Sequence, residues 1–142
     1  MTQEEYEAIA AIDLKCDNDQ IGDVSLNTAI THDKWFKYSI IEKRLLNKLV
    51  TAKKKLYREL YEYYSGKAPD EVYERKGKFQ HKVLRQEIGT YIESDADMCE
   101  LNEHIQNQEY KIEYIVKTIE MLSQRQWQLK NAMEYLRWSH GG

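Results

Sequence analysis

Residues 97–138 read DMCELNEHIQNQEYKIEYIVKTIEMLSQRQWQLKNAMEYLRW, and their spacing decides the fold class. Met98, Leu101, Ile105, Gln108, Ile112, Ile115, Ile119, Leu122, Gln126, Leu129, Met133 and Leu136 follow one another in steps of three and four without a slip. Ten of these twelve positions are apolar, which is the pattern of a coiled-coil seam. Gln108 and Gln126 interrupt it, and polar seam residues of this kind fix register or oligomer number. No Gly or Pro occurs from Asp95 until Gly141, so one helix over about 95–139 is expected. At 1.5 Å per residue, about 40 residues run roughly 60 Å.

A second long helix precedes it. Trp35, Tyr38, Ile41, Leu45, Leu49, Ala52, Leu56, Leu60 and Tyr63 advance at helical spacing, giving a basic helix over about 30–65. Ser25 or Thr31 is the expected cap. Ser65-Gly66 ends it, with Gly66 as a left-handed terminator and Pro69 just beyond. Earlier, Tyr6, Ile9, Ala10 and Leu14 predict a short helix from Glu4 to about Leu14, and Asp17–Asp23 reads as a loop. Residues 66–94 read as an irregular linker. A short helix from Asp70 fits, and Phe79–Glu93, with Gly89 inside it, suits helix or extended chain equally. The expected class is all-α: two long antiparallel helices, a short N-terminal helix and this linker, in a single domain over 1–142. Two helices folded back on each other leave too little interior for Trp35, Trp127, Trp138 and every Ile and Leu. The surplus argues for self-association.

Charge is unevenly placed. Residues 34–85 carry 15 Lys and Arg against 6 Asp and Glu, a local +9; the rest carries 6 against 18, or −12, which leaves the overall −3. Trp35, Phe36, Tyr38, Tyr57, Tyr61, Tyr63, Tyr64, Tyr73 and Phe79 lie within the basic part. Cations for phosphates beside flat rings for bases is what single-stranded nucleic acid requires. No apolar run approaches the roughly 18–20 residues of a membrane span, and the acidic start Met1–Tyr6 is not that of a secretory signal. Cys16 and Cys99 lie far apart and fit a reducing cytoplasm, with neither a disulfide framework nor a zinc site.

The run Lys53-Lys54-Lys55-Leu56-Tyr57-Arg58 holds the candidate DNA-binding side chains, with Lys67 beyond the helix end. Consecutive cations fan around about half the helix; Lys54 and Arg58, four apart, share a face. Arg75, Lys76 and Lys78 are the reserve candidates. Tyr57, Tyr61 and Tyr64 form a second stripe that suits packing or base stacking equally. Leu101, Ile105, Ile112, Ile115, Ile119, Leu122 and Leu129 are the candidate oligomerisation residues. His32, His81, His104 and His140 share no consistent partners, and Glu100–His104 reads as a surface pair, so no metal or other cofactor is expected. There is no phosphate loop, nucleophile elbow or nucleophile–base pattern, and the chain does not read as an enzyme.

Lys34-Trp35 opening the basic helix, the Lys-rich run into Tyr57-Arg58-Glu59-Leu60, and Tyr61-Glu62-Tyr63-Tyr64-Ser65-Gly66 together resemble the UvsY-type recombination mediators of T-even-like phages. The resemblance covers about residues 30–138, and Tyr-Tyr-Ser-Gly is its most specific element. It implies a small helical protein that forms open ring-like homo-oligomers, heptamers in the best-known member. It also implies a protein that binds single-stranded DNA in the host cytoplasm, helps displace the phage single-strand-binding protein and loads a phage RecA-type recombinase. That family carries two basic DNA-binding residues just before Tyr-Tyr-Ser-Gly. The first corresponds to Arg58; the second position is Leu60 here, with Lys54 or Lys55 to compensate. The rival readings are a coiled-coil structural or adaptor protein, which gives no reason for the polarised charge, and a basic amphipathic helix on an anionic membrane.

Overall fold

The computed structural model describes residues 1–16, 21–79 and 83–141. They form five α-helices: α1 Gln3–Asp13, α2 Ile21–Tyr64, α3 Asp70–Lys76, α4 Ile88–Glu93 and α5 Ala96–Ser139, with a 3-10 turn at Arg85–Glu87. None of these helices is long and apolar enough to cross a membrane. The chain divides into two compact units, Met1–Lys43 with Glu109–Gly142, and Arg44–Gln108.

In the first unit α1 begins with a capping box. The Thr2 hydroxyl accepts from the Glu5 N–H, and the Glu5 carboxylate accepts from the Thr2 N–H at 2.7 Å. Tyr6, Ala10, Trp35, Ile115 and Leu122 form the core. Tyr6, Trp35 and Tyr38 meet ring to ring at centroid distances of 5.2 to 6.0 Å. The Trp35 indole donates to Asp13 at 2.9 Å, Lys34 pairs with the same carboxylate at 2.6 Å, and Arg125 donates to the Asp13 carbonyl. Within this unit α2 and α5 run antiparallel: Ser25 and Gln126 exchange two hydrogen bonds of 3.1 Å, and Lys111 reaches Glu42 at 3.5 Å. Glu42 is 1% exposed and accepts from the Tyr6 hydroxyl at 2.8 Å. Burial, then this bond, pushes the Tyr6 pKa above its ordinary value.

The second unit buries Leu60, Ile88, Ile92 and Met98, with Leu56, Tyr64 and Val83 against them. α2 ends in a Schellman closure: the Lys67 N–H donates to the Glu62 carbonyl at 2.9 Å and the Gly66 N–H to Tyr63 at 3.2 Å, with Gly66 at φ +80°. Asp95 caps α5 by accepting from the Asp97 N–H at 2.9 Å.

The N-terminal start of α2 differs from the sequence expectation. α2 starts at Ile21, which is buried, so the loop reading fails for Ile21–Asp23, while Asp17–Gln20 lie outside the described residues, as does His81. Neither Ser25 nor Thr31 caps the helix. Both sit inside it, where Thr28 and Thr31 donate to the carbonyls four residues back at 2.7 and 3.1 Å. In the linker the helix expected from Asp70 is α3, and the stretch that suited helix or extended chain holds the 3-10 turn and α4, with Gly89 inside α4.

The seams follow the apolar reading in part and elsewhere run one position away from it. Along α5 in the first unit the enclosed line is Lys111, Ile115, Thr118, Leu122, Arg125, Leu129, Ala132 and Leu136, all buried or half-buried. It shares Ile115, Leu122, Leu129 and Leu136 with the expected seam. It takes Lys111, Thr118, Arg125 and Ala132 in place of Ile112, Ile119, Gln126 and Met133. On α2 the same unit encloses Ile21, Thr28, Trp35, Ser39 and Glu42, while Ile41 is half exposed. The second unit leaves Leu45 and Ala52 exposed. Polar groups hold these lines because each finds a partner: Lys111 on Glu42, Arg125 on Asp13, Thr118 on the Tyr114 carbonyl. Among the described residues no buried side-chain nitrogen or oxygen lacks a hydrogen bond.

Candidate nucleic-acid interface

The basic residues of the second unit differ sharply in how available they are. Lys76 is committed to the fold: it pairs with Asp95 at 2.6 Å and Asp97 at 3.1 Å and lies 5.4 Å from the centre of the Tyr63 ring. Burial lowers the Lys76 pKa and the two carboxylates raise it; the net direction is up. Lys76 is therefore removed from the reserve candidates. Arg75 is exposed but shares a shallow groove with Glu59, Glu62 and Glu71.

α2 carries a group of exposed cations; off the helix Lys78, a reserve candidate, is exposed as well. Lys53, Lys54, Lys55 and Arg58 are all exposed, and so is Lys67 beyond the helix end. Lys54, Lys55 and Arg58 come together with Thr51 and Glu59 around one shallow depression, and Lys48 and Lys55 line the next one along. Arg58, 84% exposed, keeps only a loose 3.7 Å contact with Glu62. Lys53 does not join them. It stands three before Leu56 and seven before Leu60, exposed but about 200° around the helix from Lys55.

Two cations were missed in the run-based reading. Arg44 and Lys48 are exposed and precede Lys55 and Arg58 at steps of four, seven and three. At about 100° per residue the four stay within about 80° of one face, over roughly 21 Å of helix. That spacing is legible in the sequence, but attention to consecutive lysines hides it.

The aromatic complement is smaller than composition suggests. Trp35 and Tyr38 belong to the first unit's core. In the second unit Tyr63, Tyr64, Tyr73, Phe79 and Tyr91 form a ring cluster with centroid distances of 5.0 to 6.2 Å. Tyr63 donates to the Gly77 carbonyl at 2.8 Å, Tyr73 to the Tyr63 carbonyl at 2.9 Å and Tyr64 to Asp95 at 2.6 Å. Of the rings within residues 34–85, Phe36, Tyr57 and Tyr61 stay exposed.

The candidate oligomerisation residues also divide. Ile115, Leu122 and Leu129 are enclosed within the first unit, whereas Leu101, Ile105, Ile112 and Ile119 keep partial exposure. His104 lies 3.8 Å from Glu100 as a surface pair. Among the described residues no three His, Cys, Asp or Glu side chains converge as a metal site would require.

Over residues 9–142 the sequence matches the UvsY family, "Recombination, repair and ssDNA binding protein UvsY". The chain belongs to this family. Crystal structures of the bacteriophage T4 recombination mediator protein UvsY share its fold. The lattice type II structure gives a TM-score of 0.82 at 17% identity, covering 100% of this chain and 99% of that one. Lattice type IV gives 0.85 at 16%, covering 97% and 99%, and lattice type I gives 0.83 at 15%, covering 95% and 98%. No curated protein matches the sequence. The element that carried the family resemblance, Tyr63-Tyr64-Ser65-Gly66, is here the packed and capped end of α2. Its work is to close the helix that presents the cations.

Proposed function

We propose that this chain is a recombination mediator that binds single-stranded DNA and helps seat a RecA-type recombinase in place of a single-strand-binding protein. Family membership supports this reading. At residue level it is carried by the exposed cation face of Arg44, Lys48, Lys54, Lys55 and Arg58, none of which is held by a close carboxylate pair among the described contacts. Such a face neutralises phosphates by counterion release and reads no sequence. The role is one of binding and positioning, without a chemical step. Assembly into a homo-oligomer, with seven copies as the number the resemblance implies, would repeat the face, so that a strand held by one subunit meets the next at high local concentration.

The experiment coats a labelled strand with single-strand-binding protein, adds recombinase, and follows filament formation with and without this chain. Faster filament formation is expected, with a gain that Lys55→Ala/Arg58→Ala largely abolishes. No gain at any concentration would defeat the mediator reading.

A further inference from the structure

We propose that Tyr57 and Tyr61 form the base-stacking ledge of the DNA site, beside the phosphate-binding row of Lys54, Lys55 and Arg58; the proposal rests on the single-stranded DNA reading above. Tyr57 is 47% exposed and Tyr61 37%, and neither hydroxyl nor ring takes part in the ring cluster that consumes Tyr63, Tyr64, Tyr73 and Phe79. The two are four apart, so they lie one above the other on a single side of α2. Lys54 and Arg58 each precede one of them by three, which places both cations between the tyrosines and Lys55 around the helix. A strand whose phosphates follow these cations turns its bases toward the tyrosines.

The position itself asks for no aromatic ring. A solvent-facing helix site is served better by Lys, Glu or Gln, which have higher helix propensity and lose nothing to water. Two tyrosines at one helical spacing, beside the exposed cations Lys54 and Arg58, fit bases, because every base offers a flat face and stacking tolerates any sequence. The hydroxyls stay in water while the rings are covered.

Stacking and phosphate pairing leave different signatures, and that makes the test decisive. Anisotropy of a labelled oligodeoxythymidylate, and of an abasic oligomer of the same length, is measured over a salt series for the full chain and its variants. Tyr57→Ala and Tyr61→Ala should each weaken oligothymidylate binding at least about fivefold, with the salt slope unchanged. Tyr57→Phe and Tyr61→Phe should bind as the parent does. On the abasic oligomer the parent and the Ala variants should bind alike. Three results overturn the proposal while leaving the DNA reading in place: Ala variants that bind oligothymidylate like the parent, an Ala variant with a shallower salt slope, or one whose assembled mass drops, which makes the ring a subunit contact. A parent chain that binds neither oligomer removes the DNA reading as well.

Discussion

Asp95 shows how much one residue decides. It caps α5, accepts from Tyr64 and pairs with Lys76, while only 5% exposed. Burial alone would raise its pKa; the bonds from Lys76, Tyr64 and the Asp97 N–H outweigh that and hold the carboxyl below its ordinary value. A carboxyl depressed in this way contributes stability that is complete above its unfolded pKa, about 4, and is lost as pH falls through the folded one. Asp95→Asn should therefore cost roughly 2 kcal/mol at neutral pH and flatten the loss of stability below about pH 4. Urea titrations from pH 2.5 to 7 check both. The sequence identified Asp95 or Asp97 as the helix opener, but not its charge partner. A lysine nineteen residues upstream in an irregular stretch gives no local signal. The same limit hid Glu42, whose burial depends on Tyr6 and Lys111 arriving from other helices. The cations of α2 provide a second comparison. Lys55→Ala and Arg58→Ala should each weaken single-stranded DNA binding and make the salt slope shallower by about one. Lys53→Ala, on the other side of the helix, should leave both nearly unchanged. Equal effects from all three would mean that net charge rather than a face is being read.

The helices themselves were largely legible. Unbroken stretches without Gly or Pro gave α5 and most of α2, and Gly66 gave the stop. Phase was legible at Met98–Gln108 and at every second seam position beyond, and slipped between them, because a step of three and a step of four differ by one residue and apolar character decided between them in the sequence reading. In the fold Lys111, Thr118 and Arg125 take places on the inner line through their hydrogen bonds; Ile119 packs beside that line against the core, Ile112 is half-buried and Met133 is exposed. This changes what a charge at Ile115 should do. Ile115 is fully buried within the first unit, so Ile115→Lys should destabilise the fold by several kcal/mol. Thermal unfolding should show a large fall in Tm, beyond any change in assembly; an unchanged Tm with a lower mass would restore Ile115 as a subunit contact. At the other long helix, Gly66→Ala forces a side chain into φ +80°. It should cost about 1 kcal/mol without altering DNA contacts, by urea titration alongside anisotropy.

At the scale of the whole molecule the unburied apolar surface is the outstanding fact. In the first unit Leu26 and Ile30 are 80% and 70% exposed, and Trp127, Tyr135 and Trp138 on α5 are similarly open. The sequence implied such a surplus from the count of large side chains against two helices; of the seven seam residues it offered for self-association, Ile115, Leu122 and Leu129 are enclosed within the first unit, and Leu101, Ile105, Ile112 and Ile119 keep partial exposure. Leu26 and Ile30 are four apart on one face of α2, where no partner among the described residues covers them. Covering them with a second copy removes apolar area from water at about 25 cal/mol per Å². Leu26→Glu/Ile30→Glu should therefore lower the assembled mass in sedimentation while leaving the thermal transition of the fold nearly unchanged. Affinity for a long single strand should fall with it, because avidity disappears when the cation faces are no longer linked. Affinity for an oligonucleotide short enough to touch one subunit should hold. If mass and long-strand affinity both survive the double substitution, copies join through another surface, and Ile112→Glu, on the partly exposed flank of α5, is the next variant to measure.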